Sequence, residues 1–140
     1  MAPSRQQPSD RVLIAGAVED LPEIHRLLED LPETAYGQVF VEVALEEQVR
    51  ILPAPPNVTV SWLVRSERPS DVPSLCFADH GEALAAAVLA WTAEWCLADS
   101  EPTTSVWIGC SDSPWIDQTR AAVQVELTAA GQDVQVEFGG

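Results

Sequence analysis

Four consecutive apolar residues, Val12 to Ala15, run into Gly16, and an amphipathic pattern begins at Pro22 after a brief acidic turn. The run does not alternate, so it predicts a strand covered on both faces, as in a parallel sheet. Beyond the turn, Ile24, Leu27, Leu28 and Leu31 recur with the i, i+3, i+4, i+7 spacing of a helix lying on a sheet. Asp20 is the expected N-cap, Pro22 sits in the first turn, where a missing N–H costs little, and Pro32 stops the helix.

The segment 38–44 (QVFVEVA), rich in β-branched residues, predicts a second strand. Residues 45–57 carry Pro53, Pro55 and Pro56 and are too broken for a regular crossover helix. Residues 58–64 (VTVSWLV) predict a third strand ending at Arg65, and 66–78 a Pro- and Ser-containing loop. A second helix is expected to start near Asp79, because Asp79 and Glu82 are spaced like a capping box. Its apolar side is Leu84, Val88, Trp91 and Trp95. The segment 104–110 (TSVWIGC) predicts a fourth buried strand, again entering a glycine-containing turn. Ser113 then caps a third helix with Pro114 at its first position; it buries Ile116, Val123 and Leu127 and ends at Gly131. Residues 134–138 predict a last strand.

Strands alternating with helices in this order predict an α/β fold, a Rossmann-like three-layer sandwich with about five parallel strands and right-handed crossovers. Residues 11–140 read as one domain, preceded by a disordered leader over 1–10. Ligands of such sheets bind at the carboxyl ends of the strands, where the strand order reverses. If the first and fourth strands are neighbours, both glycine turns open into one crevice.

Charge narrows the ligands. The chain has 22 acidic residues against seven arginines and no lysine, a net charge of −15. Its field repels nucleic acid and anionic membrane, and opposes a ligand as negative as NADPH unless arginines gather at the site. Acidity also serves solubility alone. No apolar window is long enough to span a membrane, and the N-terminus has no secretory signal. Three cysteines, Cys76, Cys96 and Cys110, without CxxC spacing or export signal, point to reduced thiols in the cytoplasm. Together with His25 and His80 they make no familiar metal-ligand spacing, so no metal is expected.

The opening strand, glycine and helix form the first unit of a nucleotide-binding domain, but the dinucleotide fingerprint needs three glycines and this turn has one. Gly16 either lets a pyrophosphate approach the backbone or permits a tight turn. Arg65 either meets an adenine-side phosphate or pairs with carboxylates. Cys110, at a strand end before a helix N-terminus, is either a reactive thiol or a small buried hydrophobe. Ser111 and Ser113 offer hydroxyls to an anion, although capping explains Ser113. His25 falls on the polar side of its helix. His80 adjoins Asp79 with no nucleophile nearby in sequence, Trp91 and Trp95 read as core or interface, and Glu42, Glu46 and Glu47 form no spaced catalytic pair.

Several segments together resemble the C-terminal domain of the siderophore-interacting protein family, flavin-dependent ferric-siderophore reductases. They are VLIAGAVEDLPEI (12–24), GQVFVEVA (37–44), LPAPPNVTVSWLVR (52–65), and VWIG (106–109) followed by a helix containing Arg120. The spacing agrees from about residue 10 to 138. The resemblance implies the NAD(P)H-binding half of a ferredoxin-reductase-like enzyme, whose FAD sits in a separate N-terminal β-barrel. About ten residues precede the first strand here, so no FAD is expected on this chain.

Family cofactor contacts carry over to Gly16, Ala17, Glu19, Arg65, Gly109, Cys110 and Ser111, but the pattern has changed. The family's Gly-Asp-Glu-Thr turn reads Gly16-Ala17-Val18-Glu19. Its Trp-Val-Ala-Gly-Glu segment reads Trp107-Ile108-Gly109-Cys110-Ser111, and its aromatic-Trp-Arg ending gives way to Phe138-Gly139-Gly140. Two functions are therefore expected. One is a nucleotide-binding or partner-docking module without redox activity alone, binding NAD(P)H weakly and meeting a separate flavin-domain protein or a second copy of itself. The other is the NAD(P)H-binding subunit of a ferric-siderophore reductase assembled in trans.

Overall fold

The computed structural model describes residues 11–70, 72, 78–96, 103–110, 113–129 and 133–138. The expected leader over 1–10, Cys76, Ser111 and the Gly131 helix stop lie outside the described residues, as do the side chains of Trp95, Cys96 and Leu127. The elements are β1 (Arg11–Ala17), α1 (Leu21–Glu29), β2 (Tyr36–Val43), β3 (Asn57–Val64), α2 (Glu82–Trp91), β4 (Thr103–Ile108), α3 (Pro114–Ala129) and β5 (Asp133–Phe138). The five strands form one parallel sheet in the order β3-β2-β1-β4-β5. The expected Rossmann-like α/β architecture is the observed one.

The register of β1 divides the core. Val12 and Ile14 point to one face, where they pack with Ile24 and Leu28 of α1, Val39, Val41 and Trp107. Leu13, Ala15 and Ala17 point to the other, against Leu84 and Val88 of α2 and Ile116 and Val123 of α3. Both faces of β1 are buried along its whole length, which is why its sequence is apolar without alternation. Each fully buried Leu, Ile or Val contributes about 1.5–3 kcal/mol by leaving water, so these two clusters supply most of the drive for layering. The proline-broken segment after β2 forms only a short 3-10 turn, Glu46–Gln48, as its composition requires. Leu52 and Ala54 from that segment join α1 in covering the first face.

Three local expectations are corrected. β1 continues through Ala17, so Gly16 lies inside the strand, paired with Val41, and the turn follows at Val18–Asp20. Asp20 precedes α1 in the N-cap position but makes no capping hydrogen bond, because its carboxylate is engaged across the sheet edge. α2 begins at Glu82 rather than near Asp79. Half of the expected capping box is present, the Asp79 N–H donating to Glu82 Oε1 at 2.9 Å.

Because β1 and β4 are hydrogen-bonded neighbours, the strand order reverses between them. The carboxyl ends of β1 and β4 and the starts of α1 and α3 therefore share one edge of the sheet.

Candidate functional site at the strand carboxyl ends

The end of β1 and the turn after β4 are joined by one side chain. Asp20 Oδ2 accepts hydrogen bonds from the Ala17 N–H at 2.9 Å and from the Cys110 N–H at 2.8 Å. Asp20 and Cys110 lie 90 residues apart in sequence. Both flanking glycines are shaped around this carboxylate. A Cβ on Gly109 would lie 2.6 Å from Asp20 Oδ2, and one on Gly16 would lie 2.9 Å from Ile24 Cδ1 and 3.0 Å from Asp20 Cβ. The space that the missing side chains leave is filled by Asp20 and by α1. Backbone N–H groups converging at a strand-to-helix edge are an anion-binding arrangement, and here the anion is the protein's own carboxylate.

The second charge in the crevice is Glu42, near the carboxyl end of β2 and level with Ala17. It is almost wholly buried, yet its oxygens are well used. Oε1 accepts from the Gly81 N–H at 2.7 Å and Oε2 from the Leu84 N–H at 3.1 Å. Glu42 thus caps the N-terminus of α2 from another element and places a negative charge at the positive end of its dipole. Arg65 follows the end of β3 and lies with Nε 3.6 Å from Glu42 Oε1. Of its two readings, this is pairing with a carboxylate.

His80, just before α2, stands between these groups. Its Nε2 is 3.4 Å from Cys110 Sγ and 3.6 Å from Glu19 Oε1, and its Nδ1 is 3.7 Å from Glu42 Oε1. Cys110 is buried at 2% exposure, and its φ of 58° is unusual for a residue with a side chain. The sequence placed no nucleophile near His80; the fold brings Cys110 to it. Glu42, which formed no recognisable pair in sequence, is the buried carboxylate on the other side of the ring.

The start of α3 closes the remaining edge. The Ser113 hydroxyl donates to the His80 carbonyl at 2.8 Å, and so ties α3 to the turn before α2. Trp115 Nε1 donates to Asp79 Oδ2 at 3.2 Å, and the His80 N–H donates to Asp79 Oδ1 at 2.9 Å. These bonds, the Trp115 one foremost, hold the Asp79 carboxyl below its ordinary pKa. A carboxylate with a depressed pKa stabilises the fold above the ordinary carboxylate range and loses that contribution as pH falls through its folded pKa. Asp79→Asn should therefore lower the melting temperature slightly at neutral pH. The difference from the wild-type chain should fade below about pH 4, which melting curves between pH 7 and pH 2.5 would show.

Of the residues expected to meet a cofactor, Gly16, Ala17, Glu19, Arg65, Gly109 and Cys110 do gather at this edge. Ser111 lies outside the described residues. His25 is on the solvated side of α1, 3.6 Å from Glu29. Among the described residues no group of three or more His, Cys, Asp and Glu side chains is placed to hold a metal ion. No helix among them is long and apolar enough to cross a membrane.

A siderophore-interacting protein family model matches residues 9–137, nearly the whole chain. An uncharacterized protein of Mycobacterium tuberculosis is 37% identical over 84 residues, 59% of this chain and 30% of that protein. A ferric vibriobactin reductase of Vibrio cholerae is 36% identical over 59 residues, 42% of this chain and 22% of the reductase. This chain thus matches less than a third of either curated relative's length. The crystal structure of a siderophore utilization protein from T. fusca superposes with a TM-score of 0.62 at 22% identity, covering 96% of this chain and 46% of that one. That likeness extends the agreement in fold to almost every element described above. With the family pattern spanning 9–137, the chain belongs to the siderophore-interacting protein family.

Proposed function

We propose that this domain takes part in siderophore-iron handling as a binding and docking module whose nicotinamide crevice is closed from within. The observation that carries the reading is Asp20, whose carboxylate takes the backbone N–H groups of both Ala17 and Cys110 at the strand-order reversal. A pyrophosphate at that place must displace a like-charged group and enter a crevice that also holds Glu19, Glu42 and Asp79. Arg65, at the end of β3, is already beside Glu42. NAD(P)H binding is accordingly weak, and the domain performs no hydride chemistry alone.

Redox chemistry, as in the ferric vibriobactin reductase that it resembles in part, belongs to a partnership with a flavin-bearing domain. Such a domain supplies the hydride acceptor that a nicotinamide requires. The exposed aliphatic side chains after β2, Leu45, Val49 and the 95% exposed Ile51, are apolar contacts for that partner. The free thiol of Cys110 and a net charge of −15 suit a cytoplasmic setting.

One observation favours a second reading, the NAD(P)H-binding subunit of a reductase assembled in trans. The turns after β1 and β4 do converge, as a working nucleotide site requires. Titration calorimetry of NADH, NADPH and FAD against the purified chain separates the two. Dissociation constants in the millimolar range or weaker for all three are expected. Micromolar NADPH binding, lost in Arg65→Ala, would establish the second reading instead.

A further inference from the structure

The side chains of Cys110, His80 and Glu42 also make an arrangement with a chemistry of its own. A thiol lies 3.4 Å from one ring nitrogen of a histidine, and a buried carboxylate lies 3.7 Å from the other. Thiol, imidazole and carboxylate in that order are the parts of an activated sulfur nucleophile. Glu42 is held rigidly for this place, since its oxygens are fixed by the Gly81 and Leu84 amides. Cys110 is held too, through its own N–H on Asp20.

The surroundings restrict what such a thiol can attack. Acyl transfer needs free backbone donors for an oxyanion, and the Cys110 N–H is already bonded to Asp20. A large electrophile cannot reach a sulfur on a residue only 2% exposed. Hydrogen peroxide is small, and His80, 3.4 Å from the thiol, has a side chain that is 32% exposed.

We propose that Cys110, His80 and Glu42 form a peroxide-reactive thiol centre, in which hydrogen peroxide oxidises Cys110 to the sulfenic acid. The thiol proton passes to His80 Nε2, and the imidazolium so formed faces the carboxylates of Glu42 and Glu19. The sulfur lone pair attacks one peroxide oxygen, so an S–O bond forms as the O–O bond breaks. The departing hydroxide takes the proton from His80 and leaves as water. Sulfur is oxidised by two electrons and the peroxide reduced by two.

The test uses the full chain with its three cysteines as internal comparison. After timed exposure to hydrogen peroxide the protein is denatured and alkylated with iodoacetamide, and peptide masses report which cysteine has lost its free thiol. Cys110 should be oxidised about tenfold or more faster than Cys76 and Cys96, and dithiothreitol should restore it. In the native chain iodoacetamide itself should modify Cys110 slowly. His80→Gln and His80→Asn should each slow oxidation of Cys110 about tenfold or more while leaving Cys76 and Cys96 unchanged. Oxidation of Cys110 no faster than that of the other two, or an unchanged Cys110 rate in both His80 variants, overturns the proposal.

Discussion

Replacing Glu42 by alanine is expected to lower folding stability by about 3–4 kcal/mol, which for a domain of this size is about 10 °C in melting temperature. Three losses add. The Gly81 and Leu84 amides at the start of α2 lose a charged acceptor in a buried setting. Arg65 loses the carboxylate 3.6 Å from its Nε. The positive end of the α2 dipole loses its compensating charge. Glu42→Gln keeps an oxygen that accepts from one amide and removes the charge, so about half that loss is expected. Urea denaturation of the three chains measures the series directly. A loss below about 1 kcal/mol for Glu42→Ala would show that water or another side chain takes over the helix end.

Gly81→Ala should cost about 3 kcal/mol. The residue sits at φ 88°, in the left-handed region where a side chain is strained, and an added Cβ would overlap the Ser113 hydroxyl and lie 2.6 Å from Ser113 Cβ. Ser113 cannot easily yield, because its hydroxyl is bonded to the His80 carbonyl and its own carbonyl accepts from the Ile116 and Asp117 amides. The backbone strain and the overlap are separable. Combined with Ser113→Gly, Gly81→Ala should cost at least about 1 kcal/mol less than the sum of the two single changes. Additive losses would assign the whole effect to backbone conformation.

Much of the fold was legible because parallel strands buried on both faces leave a plain trace. The runs from Val12 and Val106 are apolar without alternation, and the Ile24, Leu27, Leu28, Leu31 stripe has helical spacing. The gathering of the β1 and β4 turns was expected on the condition that those two strands are neighbours, and they are. The site's chemistry was not legible in the same way, because each decisive bond joins residues far apart in sequence. Asp20 before a helix reads locally as a cap, yet its oxygen bonds an amide 90 residues away. Glu42 reads as one more acid in an acidic chain, and only the packing of α2 over β2 shows which helix end it meets, 39 residues on. His80 and Cys110, 30 apart, met only once α3 was laid beside α2. Periodicity reports which face a side chain occupies; it does not report which side chain from another element will face it.

Gly16 shows how a correct position can carry a different meaning. It lies at the edge where a cofactor turn would be, and close approach is indeed what the missing side chain permits. What approaches is Ile24 and Asp20. Asp20, which fills the crevice, directly follows the Gly16-Ala17-Val18-Glu19 segment.

The most direct test is NADPH calorimetry on the wild-type chain and on Asp20→Ala, with circular dichroism confirming that both are folded. Removing the carboxylate frees the Ala17 and Cys110 amides and takes one negative charge from the crevice. Closure by Asp20 predicts unsaturable binding in the millimolar range for the wild-type chain and an affinity at least about tenfold higher for Asp20→Ala, a gain of about 1.4 kcal/mol. Tight binding by the wild-type chain, or equal affinity in the two, would contradict it.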